Sequence, residues 1–328
     1  MMVNTSNAKV SPFKLRRMLA DPRSDNSELQ RLLVVDKESR DSFEPIICAN
    51  PETVDTTKMV NRGMFGEISR LARERRQLQY RLKVNNPFFS GQKIVSEGDS
   101  WFQFPFLLVD VIDQLFNPFD YFDGYAVFSL GAAGDLLENI INEDEITQAI
   151  ETEKPEIFLI SGGGNDLVAD GNLANFLSEF EPDRQAADYL NEEFDRFLEK
   201  IIQLYRGLFL RLLSRFPSLK IICHGYDYGI PNNGVSLGQP MISKGIVDQE
   251  LQKEILQKII DRWNEAQIRL LENVEFGGRV FHVDCRNAVG DDNWFDELHP
   301  NNAGFKAVAE LFDRKIKEIT VNDRGLKN

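Results

Sequence analysis

From residue 88 onward, the chain alternates short apolar segments with longer segments of helical spacing. Strands of a parallel sheet are buried on both faces, so they read as continuous apolar runs, and helices connect them. The alternation predicts an α/β fold with a mostly parallel five-stranded sheet covered by helices on both faces. The predicted strands are Lys93–Ser96, Tyr125–Leu130, Glu156–Ser161, Lys220–His224 and Arg279–Val283. The predicted helices are Gln103–Phe116, Asp135–Glu153, Asp183–Arg215, Gly245–Val274 and a last helix from Asn302 to about Ile319.

The first part of the chain has a different organisation. The turn-forming run Asn85–Pro87 favours a boundary there. We therefore expect a helical N-terminal extension of unknown role over residues 1–87 and a second domain over residues 88–328. The helices predicted in the extension are Phe13–Leu19, Ser27–Val35 and a longer basic helix, Lys58–Lys83.

Charge is distributed unevenly between these regions. Residues 1–92 carry 16 Lys and Arg against 11 Asp and Glu, whereas the remainder carries 22 against 41. The basic residues of the longer helix have two interpretations. They either bind an anionic partner, such as a protein recruited through residues 1–87, or form an ordinary face that is solvated or docked on the acidic domain, and the second interpretation is favoured. These residues are Arg70, Arg73, Arg75, Arg76, Arg81 and Lys83.

Composition excludes several classes of protein. A net charge of −14 is unfavourable for a nucleic-acid surface, which needs clustered Lys and Arg. No apolar stretch reaches the roughly 18 residues of a membrane span, and Met1–Leu19 lacks the apolar block of a secretion signal. Three widely separated cysteines fit a reduced compartment better than a disulfide framework. We therefore expect a cytoplasmic protein without a transmembrane segment.

Ser100 is the first candidate for chemistry. It follows the predicted strand Lys93–Ser96 and Gly98, and an aromatic segment of helical spacing begins at Phe102. This pattern predicts a strand-to-helix turn that presents the hydroxyl at the carboxyl end of the sheet. Backbone N–H groups at such a turn favour an anion. Serine is a poor nucleophile by itself, so this interpretation requires a base and donors that stabilise developing negative charge.

A histidine is the natural base, because only imidazole has an unperturbed pKa near neutrality. Of three histidines, His224 and His282 lie within predicted apolar strands, where a structural role is favoured, whereas His299 lies in a predicted loop. Asp296 precedes His299 by three residues, close enough in a tight turn to orient the imidazole. The same spacing also suits a helix cap or a metal ligand. No second histidine or cysteine lies nearby at ligand spacing, so we expect no metal.

Two glycine-containing segments are candidates for the charge-stabilising donors. Gly131 and Gly134 follow the second predicted strand, and Gly162–Gly164 with Asn165 follows the third. Either segment alone is typical of an ordinary turn. Ligands bind beyond the carboxyl ends of strands in open parallel sheets, however. We therefore expect Ser100, Gly134, Asn165 and the loop of Asp296 and His299 to meet at one edge.

These motifs, in this order and spacing, resemble the four motif blocks of the SGNH hydrolases, also called the GDSL esterase/lipase superfamily. The resemblance covers roughly residues 90–320. It implies a flavodoxin-like three-layer α/β/α fold and hydrolysis of small-molecule carboxylic esters without a metal or cofactor. By motif, Ser100 resembles the nucleophile, His299 the base and Asp296 the acid that orients it. The N–H groups of Ser100 and Gly134 and the side chain of Asn165 resemble the oxyanion donors.

The residues leave the substrate open. The phenylalanines beside Ser100 also suit a thioesterase or lysophospholipase that acts on longer acyl chains. A third possibility is a catalytically silent interaction protein that recruits a partner through residues 1–87. Residues 226–245, rich in glycine and proline, suit either a wall or lid of a pocket or an ordinary surface loop.

Overall fold

A five-stranded parallel sheet lies at the centre of the protein in the computed structural model, which describes residues 9–36, 46–58, 65–142 and 144–325. The strands are β1 (Leu33–Val35), β2 (Ile47–Ala49), β3 (Gln92–Gly98), β4 (Tyr125–Ser129), β5 (Ile157–Ser161), β6 (Lys220–His224) and β7 (Val280–Val283). The helices are α1 (Pro12–Ala20), α2 (Asn26–Leu32), α3 (Phe65–Val84), α4 (Val111–Leu115), α5 (Leu137–Asn142), α6 (Glu145–Glu153), α7 (Gly164–Val168), α8 (Glu192–Arg215), α9 (Gly238–Ser243), α10 (Gln249–Leu271) and α11 (Asn302–Gly325).

The central sheet has the order β4-β3-β5-β6-β7, and every neighbouring pair is parallel. This is the flavodoxin-like order, in which the chain direction across the sheet reverses between β3 and β5. The apolar side chains of Ile157–Ile160 in β5 are fully buried, as expected for a strand covered on both faces. The predicted five-stranded sheet is confirmed, and each strand begins and ends within two residues of its predicted bounds.

Helices cover the sheet in two groups. On one side α4 packs against α11, and in the other group α8 packs against both α5 and α10. The result is the predicted three-layer α/β/α arrangement. A single large core, with Phe158, Phe209 and Phe305 fully buried, lies between the layers.

The segment after Ser100 differs from its prediction. A helix over Gln103–Phe116 was expected from the apolar spacing, but only α4, Val111–Leu115, is helical. Pro105 has no N–H to continue a helix, and Phe106 has a left-handed backbone with φ of 63°. The prediction of a strand-to-helix turn at Ser100 was therefore wrong. Ser100 lies instead on a strand-to-loop turn.

Three further helix predictions were wrong in extent. The predicted helix Asp135–Glu153 is divided into α5 and α6. The predicted helix Asp183–Arg215 is a short 3₁₀ turn followed by α8, because Asn191 caps the start of α8 with its side chain. The fourth predicted helix, Gly245–Val274, is shorter at both ends and corresponds to α10.

The N-terminal extension contains α1, α2, α3 and a small hairpin of β1 and β2. The predicted helix Ser27–Val35 ends at Leu32, because its last three residues pair with β2 as an antiparallel strand. The start of the predicted helix Lys58–Lys83 lies partly outside the described residues, and α3 accounts for the rest. The elements of this region pack around a small apolar core of their own, which is separate from the large core and includes Leu29, Ile68 and Ala72. The domain boundary near residue 87 stays a prediction.

The basic side chains of α3 lie against acidic groups of the following domain. Arg81 forms an ion pair with Glu153 at 2.6 Å, and Arg73 approaches Glu145 at 3.5 Å. Arg76 is buried beside Asp110 and Asp113. These contacts favour the second interpretation of the basic helix, in which it docks on the acidic domain.

Two structural observations bear on the predicted location of the protein in the cell. Within the described ranges, no helix combines the length and apolar character that a membrane span requires. Among the described residues, Cys48, Cys223 and Cys285 form no disulfide bonds. The cytoplasmic location stays a prediction.

Candidate active site

Ser100 lies directly beyond the carboxyl end of β3, at the switch point of the sheet. The backbone is tightly packed here, because a Cβ on Gly98 would lie 2.6 Å from the carbonyl oxygen of Ser161 in β5. Asp99 fixes the turn with a fully buried carboxylate that accepts hydrogen bonds from the Ser161 hydroxyl at 2.7 Å and the Trp101 N–H at 3.0 Å. The hydroxyl of Ser100 is thereby held on a rigid support.

His299 meets Ser100 across 199 positions of sequence. Its Nε2 lies 2.7 Å from the Ser100 Oγ, and its Nδ1 lies 2.8 and 2.9 Å from the two carboxylate oxygens of Asp296. Ser100, His299 and Asp296 thus form one hydrogen-bonded chain from hydroxyl through imidazole to carboxylate. The arrangement can remove a proton from Ser100 and stabilise the resulting imidazolium.

A tight turn keeps Asp296 in place. Its Oδ1 also accepts the N–H groups of Leu298 at 2.9 Å and His299 at 2.8 Å. Burial acts to raise the pKa of the Asp296 carboxyl, but attraction to His299 and these hydrogen bonds outweigh it, so the pKa lies below its ordinary value. Asp296 is therefore an anion at neutral pH, as an orienting carboxylate must be.

The other two histidines lie away from Ser100. His224 is buried between the rings of Trp101 and Phe102, with ring centroids 5.5 Å apart in each case. His282 accepts the N–H of Gly225 at 3.1 Å through its Nε2. Burial lowers the pKa of His224 and, with a smaller effect of His224, lowers that of His282 to about 4. Both rings are neutral at pH 7 and belong to the packing of the sheet.

Asn165 lies at the start of α7 and lines a cavity together with Ser100 and His299. Its side-chain Nδ2 donates to the carbonyl oxygen of Asp135 at 2.8 Å, which connects it to the loop that holds Gly134. Gly134 has a left-handed backbone with φ of 84°, a conformation that favours glycine. The described residues that line the cavity do not include Gly134 itself.

Gly131 has a different surrounding. A Cβ at this position would lie 2.7 Å from the carbonyl oxygen of Gly98. Gly131 is therefore a packing residue that lets the loop after β4 approach the turn of Ser100.

The cavity beside Ser100 is small, about 60 Å³, and has mostly apolar walls. A volume that holds one water-sized probe is roughly 10–15 Å³, so the space suits a group of a few heavy atoms. Its apolar walls are formed by Trp101, Leu167, Val168, Leu237, Leu256, Ile260 and Leu298.

Residues 226–245 form part of this wall. Tyr226, Asp227, Gly229 and Leu237 line the cavity, so the segment is not an ordinary surface loop. Tyr226 donates its hydroxyl hydrogen to Asp99 and accepts the N–H of Gly164 at 3.1 Å. Burial, and then the nearby Asp99, raises the pKa of Tyr226 far above its ordinary value, so the phenol stays protonated.

Glu297 holds the same segment from the other side. Its buried carboxylate accepts four backbone N–H groups, at 2.8 to 3.3 Å, from residues of the segment. The donors are Asn232, Gly234, Leu237 and Gly238. Sequence reasoning missed both Tyr226 and Glu297, because an isolated tyrosine and a glutamate between two candidate residues carry no spacing signal.

The parallel sheet and the chain of hydrogen bonds at its switch point define the class of this protein, a hydrolase on a flavodoxin-like fold. The sequence model of the GDSL-like lipase/acylhydrolase family matches residues 86–312, more than half of the chain. The chain therefore belongs to the GDSL-like lipase/acylhydrolase family, which confirms the predicted SGNH resemblance.

Several solved structures are similar to this chain at low sequence identity. A family 3 carbohydrate esterase of Clostridium thermocellum is 14% identical, with 69% of this chain and 94% of that chain covered and a TM-score of 0.42. A family 3 carbohydrate esterase from Talaromyces cellulolyticus is 18% identical, with 70% and 99% covered and a TM-score of 0.42. A lipase/acylhydrolase from Enterococcus faecalis is 18% identical, with 69% and 96% covered and a TM-score of 0.39. Among curated proteins, none matches this chain.

Proposed function

We propose that this protein is a serine esterase that hydrolyses small-molecule carboxylic esters, with Ser100 as nucleophile, His299 as base and Asp296 as the orienting acid. The observation that carries the proposal is the 2.7 Å contact between the Ser100 Oγ and the His299 Nε2. Such a contact lies within the range in which an imidazole removes a proton from a hydroxyl.

The reaction would proceed in two halves. As the Ser100 Oγ attacks the ester carbonyl, His299 takes the hydroxyl proton and then gives it to the departing alcohol. Water next attacks the acyl-serine, His299 takes a proton from that water, and the proton returns to Ser100 as the carboxylic acid leaves. Asp296 holds the Nδ1 proton throughout, so that Nε2 remains the basic nitrogen.

The tetrahedral intermediate of each half needs hydrogen-bond donors for its oxyanion. We assign this role to the backbone N–H groups of Ser100 and Gly134 and to the Asn165 side chain. One N–H of the Asn165 amide is held by Asp135, and the amide carries a second N–H for the oxyanion. The bond to Asp135 therefore orients the donor before substrate binds.

The Ser100→Ala variant tests the assignment with a fluorophosphonate probe, which labels an activated serine. We expect the variant to lose labelling, and its ester turnover should fall by about 10⁴-fold or more. Ser96→Ala is a matched control, because Ser96 is a buried serine of β3, four residues before Ser100, whose hydroxyl has no hydrogen-bond partner among the described residues. It should label like the original chain. Full labelling of Ser100→Ala would exclude Ser100 as the nucleophile.

The cavity volume favours short acyl groups. The space of about 60 Å³ beside Ser100 accommodates an acetyl or propionyl group, whereas most of a long acyl chain would lie outside it. We expect kcat/KM to fall steeply from p-nitrophenyl acetate to p-nitrophenyl palmitate. A higher kcat/KM for the palmitate would instead support the long-chain thioesterase or lysophospholipase alternative. A chain that neither labels nor turns over any acyl ester would support the silent interaction protein.

A further inference from the structure

The guanidinium of Arg76, in α3, is fully used as a hydrogen-bond donor inside the protein. Arginine has five N–H donors in a planar fork, and all five have an acceptor here. Nε donates to Asp113 at 2.9 Å, and one terminal nitrogen contacts both Asp110 and Asp113. The other terminal nitrogen donates to the Phe102 carbonyl at 2.7 Å and the Gln103 side-chain oxygen at 2.6 Å.

These acceptors belong to the segment that follows Ser100. Phe102 and Gln103 lie two and three residues beyond the proposed nucleophile, in the turn closed by the Asp99 carbonyl. Asp110, the carboxylate beside Arg76, also accepts the N–H of Phe104 at 2.8 Å. The ring of Phe104 packs edge-to-face on the imidazole of His299, with ring centroids 4.9 Å apart. Arg76 therefore touches the support of both Ser100 and His299 without touching either.

Neighbouring side chains of α3 hold the second loop of the site. Gln77 donates to the Ser129 carbonyl at 2.9 Å, and Arg73 donates to the Leu130 carbonyl at 3.0 Å. These carbonyls lie at the end of β4, where the chain enters the loop of Gly134. One face of α3 thus bonds the backbone after β3 and β4, two of the strands that lead to proposed catalytic groups.

We infer that Arg76 is a positioning residue for the Ser100–His299 pair, and that α3 is part of the active-site scaffold. The inference rests on the proposed function. Arg76 lies ahead of residues 86–312, the part matched by the family model, so this support comes from the N-terminal extension. The segment 102–110 is not helical before α4 and cannot hold itself by a helical ladder, which explains why an external donor is needed.

Arg76→Lys tests this inference in the full-length chain. Lysine keeps the charge but offers three donors on a single nitrogen, so it cannot satisfy the five acceptor atoms that the Arg76 guanidinium bonds. We expect kcat to fall by about 10- to 100-fold, because small displacements of reacting groups are costly to rate. KM should stay within about twofold, since the cavity walls are unchanged, and the rate of fluorophosphonate labelling should fall in parallel with kcat.

Arg75→Lys is the matched control. Arg75 is as buried as Arg76, and it donates hydrogen bonds to the Asp21 carbonyl at 3.1 Å and Asn26 at 2.8 Å within the N-terminal extension. Toward the segment after Ser100 its guanidinium lies over the Phe106 ring, 5.9 Å from the centroid, a cation–π contact that the lysine ammonium can also make. Loss of the Arg75 guanidinium should lower the melting temperature as Arg76→Lys does but leave kcat within about twofold of the original chain. Equal loss of kcat in both variants, or unchanged kcat in Arg76→Lys, would overturn the inference.

Two further outcomes are informative. If Arg76→Lys does not fold, Asp113→Asn is measured, because it removes the charge of one Arg76 partner at a partly exposed position. A lowered kcat there supports the inference, and an unchanged kcat overturns it. An original chain without labelling or ester turnover overturns the proposed function, and the inference with it, whereas an active chain with an unaffected Arg76→Lys overturns the inference alone.

Discussion

Two buried carboxylates near the end of β3, those of Glu97 and Asp99, differ in the number of hydrogen bonds that they accept. Asp99 accepts hydrogen bonds from Ser161, Trp101 and Tyr226. Glu97 is buried to a similar degree, but the described residues give it one donor, the N–H of Gly98 at 2.8 Å. Burial therefore raises the pKa of Glu97 to about 8, and the side chain is largely protonated at neutral pH.

This protonation has a consequence for stability. The pKa of Glu97 rises from 4.5 to about 8 on folding, so between these values the folded chain binds more protons than the unfolded chain. The free energy of unfolding should therefore decrease as pH rises through this window, by at most about 1.4 kcal/mol per pH unit from this group. Glu97→Gln should remove the dependence and be the more stable form at pH 8.

Urea unfolding of both chains at pH 5, 6, 7 and 8 checks this prediction. The quantity to compare is the difference between the two free energies, because other groups titrate equally in both chains. His282, for example, has a lowered pKa and contributes a dependence of the opposite sign. A difference that is constant over the window would contradict a buried, protonated Glu97.

At the scale of elements, Glu297 connects the turn of Asp296 and His299 to the segment 226–245, which forms part of the cavity wall. Its carboxylate accepts hydrogen bonds from four backbone N–H groups, and Glu297→Gln would replace one of the two accepting oxygens with an N–H₂ group that faces an N–H. We expect a loss of about 1–3 kcal/mol in unfolding free energy and faster proteolytic cleavage within this segment. KM should rise more than kcat falls, because the cavity wall loosens.

Glu179→Gln is the control for this change. Glu179 is an exposed carboxylate that pairs with Lys244 at 2.9 Å, and such surface pairs contribute little to stability. Melting temperature, limited proteolysis and ester kinetics of the two variants give the comparison. Equal behaviour of the two would show that Glu297 does not hold the wall.

The elements also show where sequence reasoning succeeds. Continuous apolar runs such as Ile157–Ile160 locate the parallel strands, because burial on both faces leaves little other choice. The aromatic residues after Ser100 have the spacing of a buried helix face without forming a helix. They are apolar because other parts of the protein pack around this loop. That Ser100, Asp296 and His299 lie together could be predicted because each belongs to a local motif. Arg76 and Glu297 act through distant backbone groups, which no local pattern records.

At the scale of the whole molecule, α3 contributes to two cores. Ile68 and Ala72 belong to the N-terminal core, which also contains Leu29 and Phe106, a residue of the segment after Ser100. Tyr80, about two turns beyond Ala72 along α3, belongs to the main core and donates to Glu153 at 2.9 Å. We therefore expect the N-terminal extension and the hydrolase domain to unfold together.

Leu29→Ala makes this expectation measurable. Leu29 is fully buried in the N-terminal core, so the change should cost about 2–5 kcal/mol. All three tryptophans lie beyond residue 100, so their fluorescence reports on the hydrolase domain, whereas far-ultraviolet circular dichroism follows helices throughout. If the two regions are cooperative, both signals shift to the same lower melting temperature. If the extension unfolds independently, the melting temperature from tryptophan fluorescence stays that of the original chain, and only part of the dichroism change moves to lower temperature. The hydrolase domain would then remain folded after α3 has detached from it.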